Sequence, residues 1–306
     1  MPALKSAADV QKKNTKEVPA MKVYIQTDIE GVAGYASFED RQTTTLENYN
    51  HRLRMYRLLT GEVSAAIRAA KTCGADVIYV NDNHGAAYNI LFEELEEGCE
   101  IIHGRANHFP AWLPSLDDTF DALVLVGMHA MGGDLNGVCP HSKWEVNGGE
   151  IYMSEASMAM ALAGDLGVPT VFVSGDQVIT AEVQTKNPAI QTAVVKHAYG
   201  PFVCRSMLPK KAQALIEAGV KTGLKRRRTI PPYRVKGPLT LNLLDSPNRH
   251  IPPLKPVLKK PVRGQTITAV FEKALNAFPW NAYGKKIMDY YAYPSNLSGQ
   301  KPKPSS

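Results

Sequence analysis

The chain has 306 residues, of which 44% carry hydrophobic side chains, so it is long enough to bury one large core or two ordinary ones. No run of about 18 apolar residues occurs, which excludes a membrane-spanning helix. Lysine and arginine number 35 against 29 acidic residues, which gives a formal net charge of +6.

The basic excess does not predict nucleic-acid binding. Much of it lies in Lys210–Arg228, which has the apolar period of a helix that Pro209 is well placed to open. Cations in the last turn of a helix are favoured by its macrodipole, so Lys225–Arg228 is interpreted as a helix end. No aromatic platform accompanies these cations, and we expect no nucleic-acid partner.

The cysteines argue against two kinds of site. They are scattered without a CxxC pair, which disfavours a disulfide scaffold and a thiolate zinc site. One cluster, Cys99 with His103 and His108, has part of the spacing of a zinc finger but lacks a fourth ligand.

The two ends of the chain carry no pattern of regular structure. Residues 1–20 contain lysines but no apolar core of a signal peptide, which predicts a mobile tail on a cytoplasmic protein with no membrane partner. Residues 294–306 are polar and proline-rich, and we expect them to be disordered.

The stretch Met21–Tyr35, MKVYIQTDIEGVAGY, runs from an apolar segment into two carboxylates and two glycines. Its β-branched and aromatic residues predict a buried strand. Asp28 and Glu30 are two residues apart, so both carboxylates leave the same face of an extended backbone, an arrangement that divalent cations favour. Gly31 and Gly34 then permit a sharp turn.

Two further strands lead to histidines. After a helix predicted at Glu47–Lys71, the apolar run Val77–Val80 predicts a strand that leads to His84. Ala122–Val126 is a continuous apolar run, typical of parallel sheets covered on both faces, and it leads to His129. One such histidine is usually a structural hydrogen-bonding group, whereas the repetition favours a site.

The following segments add a third histidine and a third carboxylate. A glycine-rich loop, Met131–Val138, leads to His141. A helix of small residues is predicted from Ser154, with Glu155 in its first turn, and the buried strand Pro169–Ser174 follows it.

Alternating strands and helices over residues 21–200 predict an α/β domain that has a mostly parallel sheet with flanking helices. Ligands bind beyond the carboxyl ends of the strands in such sheets, where these polar residues lie. After Gly200 come a basic helix, a proline-rich stretch and a helical segment at Ile267–Tyr290. We predict a smaller C-terminal α+β domain over residues 201–293, whose aromatic-rich end either serves oligomerisation or completes the domain's own core.

The candidate metal ligands share one predicted edge of the sheet: Asp28, Glu30, His84, His129 and Glu155, with His141 nearby on a loop. Five donors are one more than a tetrahedral zinc site uses, which indicates two metal ions that share a carboxylate. Asp82 and Asp176 could either orient a ligand histidine or hold a turn.

Six short motifs identify a family by their order: TDIEG (27–31), NDNHG (81–85), GMHA (127–130), PHS (140–142), SEASM (154–158) and SGD (174–176). A single DxEG motif would be weak evidence. All six in this order resemble the zinc D-aminopeptidase family of the DppA type, over the span from Met21 to Asp176.

The resemblance implies a dinuclear zinc aminopeptidase, with two zinc ions per chain, that releases N-terminal D-amino acids from short peptides such as D-Ala-D-Ala. It implies that Asp28 bridges the ions and that His141 is catalytic. The terminal ligands that it implies are Glu30, His84, His129 and Glu155. It also implies self-association into a homodecamer that encloses the active sites.

Two other functions would use some of the same features. A dinuclear phosphoesterase needs similar ligands, together with additional basic residues around the strand ends. A non-catalytic peptide-binding protein linked to transport has no need of five metal-ligand side chains. Metal content, measured together with turnover of D-Ala-D-Ala, separates the three functions.

Overall fold

The computed structural model of the protein describes residues 20–85, 87–104, 112–246 and 252–277. Four of the predictions made above lie wholly or almost wholly outside these residues: the tails at 1–20 and 294–306, the zinc-finger position of His108, and the helix beyond Ala277.

The described residues form twelve strands and five α-helices. The strands are β1 (Met21–Thr27), β2 (Ala75–Asp82), β3 (Glu100–Ile102), β4 (Ala122–Met128), β5 (Lys143–Val146), β6 (Ile151–Met153), β7 (Thr170–Asp176), β8 (Gln191–Gly200), β9 (Val203–Ser206), β10 (Leu239–Asp245), β11 (Lys255–Pro256) and β12 (Val262–Gly264). The α-helices are α1 (Leu46–Thr72), α2 (Glu155–Asp165), α3 (Gln177–Lys186), α4 (Pro209–Arg226) and α5 (Ile267–Ala277).

The larger sheet has seven strands in the order β3-β2-β1-β4-β7-β8-β9. Its neighbouring strands are parallel, except that β9 runs antiparallel to β8. The central strands β4 and β7 are buried along their whole length, as expected for apolar runs covered on both faces. The predicted α/β class with a mostly parallel sheet is confirmed.

Helices cover both faces of this sheet. Helix α1 begins after Thr45, whose side chain accepts a hydrogen bond from the backbone N–H of Asn48, and α1 packs against α4. Helix α2 is enclosed between two hydrophobic cores, with Ala159 in the first and Met158 in the second. Its run of small residues suits this position, because bulkier side chains would hold the two layers apart.

A second, antiparallel sheet has the order β11-β10-β5-β6, and β12 also pairs with β10. Its core includes Trp144 from β5 and Phe271 from α5, whose ring centroids are 4.9 Å apart, while Trp112 stacks on Phe271 at 4.8 Å. Phe271 is only 1% exposed, so this member of the aromatic-rich end completes the core of its own layer.

The layers do not follow the predicted division of the chain at residue 200. Strand β9 and helix α4 lie after that residue, yet β9 pairs with β8 and α4 packs on α1. Strands β5 and β6 lie before it, yet β5 pairs with β10. The second layer is therefore assembled from two separate stretches of sequence.

No helix within the described ranges is both long and apolar enough to cross a membrane.

Candidate metal centre

The loops after β1 and β4 are locked together at the carboxyl edge of the sheet. The Asp28 N–H donates to Val126 O at 2.9 Å, and the Gly31 N–H donates to Gly127 O at 2.8 Å. A Cβ on Gly31 would stand 2.0 Å from Met128 O, so only glycine fits there. This close approach brings the carboxylates after β1 beside the histidine after β4.

A buried lysine holds the loop that carries Glu30. The Lys196 ammonium donates to the backbone oxygens of Glu30, Val32 and Tyr35, and the last two distances are 3.1 and 2.7 Å. Glu62, from α1, accepts the N–H of Ala33 at 2.9 Å. Lys196 and Glu62 are 1% and 2% exposed, so this loop is fixed from within the core.

His84 lies against both carboxylates of β1. Its Nδ1 is 3.1 Å from Asp28 Oδ1 and 3.1 Å from Glu30 Oε2. The preceding Asp82 accepts the backbone N–H groups of Asn89 (2.5 Å) and Ile90 (2.9 Å), which closes the turn that presents His84. Asp82 thus has a turn role and does not orient the histidine.

His141 and Glu155 reach the centre from the two ends of the β5–β6 hairpin. The His141 N–H donates to Ala130 O at 3.3 Å, which ties the loop to the end of β4. Ser142 Oγ donates to Glu155 Oε1 at 2.6 Å, which joins the two ends of the hairpin. The rings of His129 and His141 stack with centroids 3.7 Å apart.

The donors form two groups of three. Asp28, Glu30 and His84 make up the first group, and His129, His141 and Glu155 make up the second; within each group the ligand atoms lie within 4.8 Å of one another. His129 Nε2 is 3.3 Å from Asp28 Oδ2, so the groups adjoin at this pair. All six residues selected from the sequence are thereby brought together, while the individual roles assigned to them stay predictions.

His141 has a position that the prediction did not include. Its Nε2 lies 3.8 Å from Glu155 Oε1, and the same oxygen lies 3.8 Å from His129 Nε2. The position of His141 therefore suits a third ligand of the second group. It equally suits a catalytic residue beside the centre.

Burial and mutual charge perturb the first group strongly. Burial and the neighbouring Glu30 raise the pKa of Asp28 to about 7. Burial also disfavours the charged forms of Glu30 and His84, but their mutual attraction outweighs it. The pKa of Glu30 is therefore held well below its usual range, and the pKa of His84 well above its own.

The second group has the same character. Burial opposes ionisation of Glu155, but the positive charge of His129 outweighs it and lowers the pKa of Glu155 to about 2. Burial likewise opposes the charge on His129, yet Glu155 and Asp28 raise its pKa to about 10. Burial and the charge of His129 lower the pKa of His141 to about 4. Three clustered carboxylates thus need positive charge, which protons or bound cations can supply.

Several donor atoms face a shared space without forming hydrogen bonds. Asp28 Oδ2, Glu30 Oε2 and His129 Nε2 are buried and have no hydrogen-bond partner among the residues that the structure describes. Glu30 Oε2 is nevertheless 3.1 Å from His84 Nδ1, a short distance without donor–acceptor alignment. Buried polar atoms left in this state are costly unless a ligand satisfies them. Carboxylate oxygens and imidazole nitrogens in this set fit a zinc-type divalent cation.

Each histidine is oriented through its outer nitrogen. Nδ1 of His129 donates to Ala130 O at 2.8 Å and Nδ1 of His141 donates to Cys139 O at 3.0 Å, so both rings turn Nε2 towards the centre. His84 is turned the other way, with Nε2 3.1 Å from the carboxylate of Glu39. Sequence reasoning missed Glu39, because it lies in a stretch without hydrophobic period or motif.

The remaining candidates lie in other roles. Asp176 caps α3 by accepting the N–H groups of Val178 and Ile179 at 2.9 and 3.0 Å. Cys99 and His103 do not take part in a metal-ligand group within the described part of the chain, and the His103 ring lies against Tyr88.

Comparison with known proteins places the chain in a family. A sequence profile of peptidase family M55, described as D-aminopeptidase, matches residues 21–249. A D-aminopeptidase of Bacillus subtilis (strain 168) is 27% identical over 218 residues, which cover 69% of this chain and 77% of that protein.

A solved structure of a D-aminopeptidase has a similar fold. It is described as the Zn-dependent D-aminopeptidase DppA from Bacillus subtilis, a self-compartmentalizing protease, and it matches with a TM-score of 0.70 at 21% identity over 89% of this chain and 98% of that one. The family profile covers most of the chain and every residue of the two donor groups. The chain therefore belongs to the D-aminopeptidase family and is a peptidase, an enzyme that hydrolyses peptide bonds.

Proposed function

We propose that the protein is a dinuclear zinc aminopeptidase that releases N-terminal D-amino acids from short peptides such as D-Ala-D-Ala. The observation that carries the proposal is the pair of adjoining three-donor groups, which meet where Asp28 Oδ2 lies 3.3 Å from His129 Nε2. The family to which the chain belongs, and the zinc dependence stated for the DppA structure, support the same reading.

Within this proposal Asp28 would hold both ions, because its two oxygens face different donor groups. Oδ1 lies 3.1 Å from His84 Nδ1 and Oδ2 lies 3.3 Å from His129 Nε2. Glu30 and His84 complete the first site, and His129 and Glu155 complete the second. Two zinc ions bound there would lower the pKa of a water molecule and polarise the peptide carbonyl.

His141 is proposed as the proton-transfer residue. Its Nδ1–H donates to Cys139 O at 3.0 Å, which leaves the lone pair on Nε2 directed at the centre, and its pKa of about 4 keeps the ring neutral near pH 7. A neutral imidazole in this position can accept a proton and then pass it to the leaving amine. The Phe38 ring lies edge-on to His141 with centroids 5.5 Å apart, so it shields one side of the imidazole.

The test combines metal content and turnover. The purified full-length chain should hold about two zinc ions, and it should release alanine from D-Ala-D-Ala faster than from L-Ala-L-Ala. Glu94→Gln serves as the matched control, because Glu94 forms an ion pair with Arg57 and is not in either donor group. Bound zinc without hydrolysis of either dipeptide would refute the aminopeptidase proposal.

A dinuclear phosphoesterase would require free cations at the centre to bind its anionic substrate. Three cations near the centre are already engaged. Lys196 is bound by backbone carbonyls, and both Arg41 and Arg52 pair with Glu39. We therefore expect no hydrolysis of p-nitrophenyl phosphate above that of the Asp28→Ala variant.

We also propose that the chain self-associates, as a homodecamer that encloses its active sites. The DppA structure is described as self-compartmentalizing, and restricted access would limit an aminopeptidase to short peptides. Light scattering tests this: a particle of about ten chains is expected on the family resemblance, and a monodisperse, active monomer would refute it.

A further inference from the structure

Glu39 is a buried carboxylate that contacts a proposed metal ligand and belongs to neither donor group. Its side chain is 4% exposed, and its Oε2 lies 3.1 Å from Nε2 of His84. It is carried by the loop between β1 and α1, far in sequence from His84. A carboxylate enclosed in this way must have partners, because burial of an unpaired charge is costly.

The contact fixes which nitrogen of His84 is available as a ligand. Nδ1 faces Asp28 Oδ1 and Glu30 Oε2 at 3.1 Å each, whereas Nε2 faces Glu39. When a cation is bound beside Asp28 and Glu30, Nδ1 must present its lone pair, so the neutral imidazole carries its one N–H on Nε2. Glu39, as an anion, accepts that N–H and so holds the ring with Nδ1 directed at the first donor group.

Glu39 is itself held in place by three side chains. Arg52 Nε donates to Oε1 at 2.9 Å, the Tyr56 hydroxyl donates to the same oxygen, and Arg41 pairs with Oε2. The Arg41 guanidinium fills the space where a Cβ of Gly85 would be, at 1.6 Å, so the pair is docked against the residue after His84. The two arginines keep Glu39 charged and stationary.

The three histidines differ in the group that accepts the hydrogen bond of the outer ring nitrogen. Nδ1 of His129 and Nδ1 of His141 donate to neutral backbone carbonyls, whereas Nε2 of His84 faces a carboxylate. A charged acceptor makes a stronger hydrogen bond than a neutral one and increases the basicity of the opposite nitrogen. The first donor group therefore depends on a side chain that can be substituted without touching any ligand.

We propose that Glu39 is a positioning residue that orients His84 and strengthens divalent-cation binding by the group of Asp28, Glu30 and His84. This inference rests on the proposed metal centre. It makes a separate claim, namely that one of the two ions, and not both, depends on Glu39.

The test titrates Zn²⁺ into the metal-free full-length chain against a chromophoric chelator. Glu39→Gln keeps the size of the side chain and removes its charge. It should weaken the binding of one zinc ion by roughly 10- to 100-fold and leave the affinity for the other within about twofold of the wild-type value. Glu94→Gln is the control, since it removes the same charge from another arginine-paired glutamate, with Arg57 Nη2 at 2.9 Å. Its two affinities should match those of the wild type.

A double-mutant cycle separates positioning from a general structural effect. If Glu39 acts through His84, then adding Glu39→Gln to His84→Ala should change zinc affinity by less than about twofold. A loss of the same size in both backgrounds would overturn the proposal, as would unchanged affinity in Glu39→Gln alone. A wild-type chain that binds no zinc would instead overturn the metal centre itself, and this inference with it.

A measurement on the wild type makes the test independent of the folding of any variant. Nitrogen-15 NMR of the zinc-loaded protein should show His84 bound through Nδ1 and protonated at Nε2. The opposite tautomer would overturn the proposal.

Discussion

Asp28 offers the sharpest test of the proposed centre, because its two oxygens face different donor groups. Oδ1 lies beside His84 and Oδ2 beside His129, at 3.1 and 3.3 Å. If both ions share Asp28, then Asp28→Ala removes a ligand from each of them, whereas Glu155→Gln alters only the second donor group. Elemental analysis of the Asp28→Ala chain should therefore show that most of its metal is lost.

The size of the effect follows from the number of ligands. Zinc held by four ligands contributes about 10–16 kcal/mol, so one ligand accounts for roughly 3 kcal/mol, or about two orders of magnitude in Kd. Asp28→Ala should weaken the binding of both ions by this factor, and Glu155→Gln should weaken the binding of one. Competition with a chelator resolves the two ions, and circular dichroism of the metal-free variants verifies that both remain folded.

Retention of both ions by Asp28→Ala would refute the shared role of Asp28. Weaker binding of only one ion would also refute it, because Asp28 would then be a terminal ligand of a single group. Burial raises the pKa of Asp28 to about 7, so its removal should not by itself unfold the metal-free chain.

Three further predictions concern the surroundings of the centre. His141→Ala should keep both ions while kcat falls by roughly 10²–10⁴ if the residue is catalytic, and loss of one ion on elemental analysis would make it a ligand. Burial raises the pKa of Glu62 from 4.5 to about 7, so its contribution to stability is present below pH 4.5 and is lost as the pH rises to 7. In urea unfolding of the metal-free chain, the free energy of unfolding of Glu62→Gln should therefore rise relative to that of the wild type by up to about 3 kcal/mol between pH 4.5 and 7. A difference between the two proteins that does not change with pH would contradict the raised pKa of Glu62. Gly31→Ala places a Cβ 2.0 Å from Met128 O, so thermal unfolding should show a loss of about 1–3 kcal/mol, whereas an unchanged Tm would contradict the close packing.

The first sheet could be predicted because its information is local. Strands β4 and β7 are unbroken apolar runs, and both are buried throughout. The helix predicted at Glu47–Lys71 is observed as Leu46–Thr72, and its buried face extends from Met55 to Ala70, or about four turns. The strand ends then indicated the candidate ligands, because parallel strands share one carboxyl edge.

A second, smaller α+β unit was predicted, but the strands that pair in its sheet were not, because their pairing is not local. Strand β5 pairs with β10, and Trp144 lies opposite Leu243, a separation of about a hundred residues that no short pattern encodes. The strands β5 and β6 have four and three residues, too few to show a period. Glu39 was missed for a related reason, since its partner His84 lies 45 residues away.

The non-local pairing has a consequence for the chemistry. Asp28, Glu30 and His84 all follow strands of the first sheet, so that sheet supplies every member of the first donor group. The second group takes only His129 from this sheet, while His141 and Glu155 flank a hairpin whose strands belong to the other sheet. The complete centre therefore exists only when the two layers are packed together, and helix α2, which is buried between their cores and begins at Glu155, joins that packing directly to a ligand.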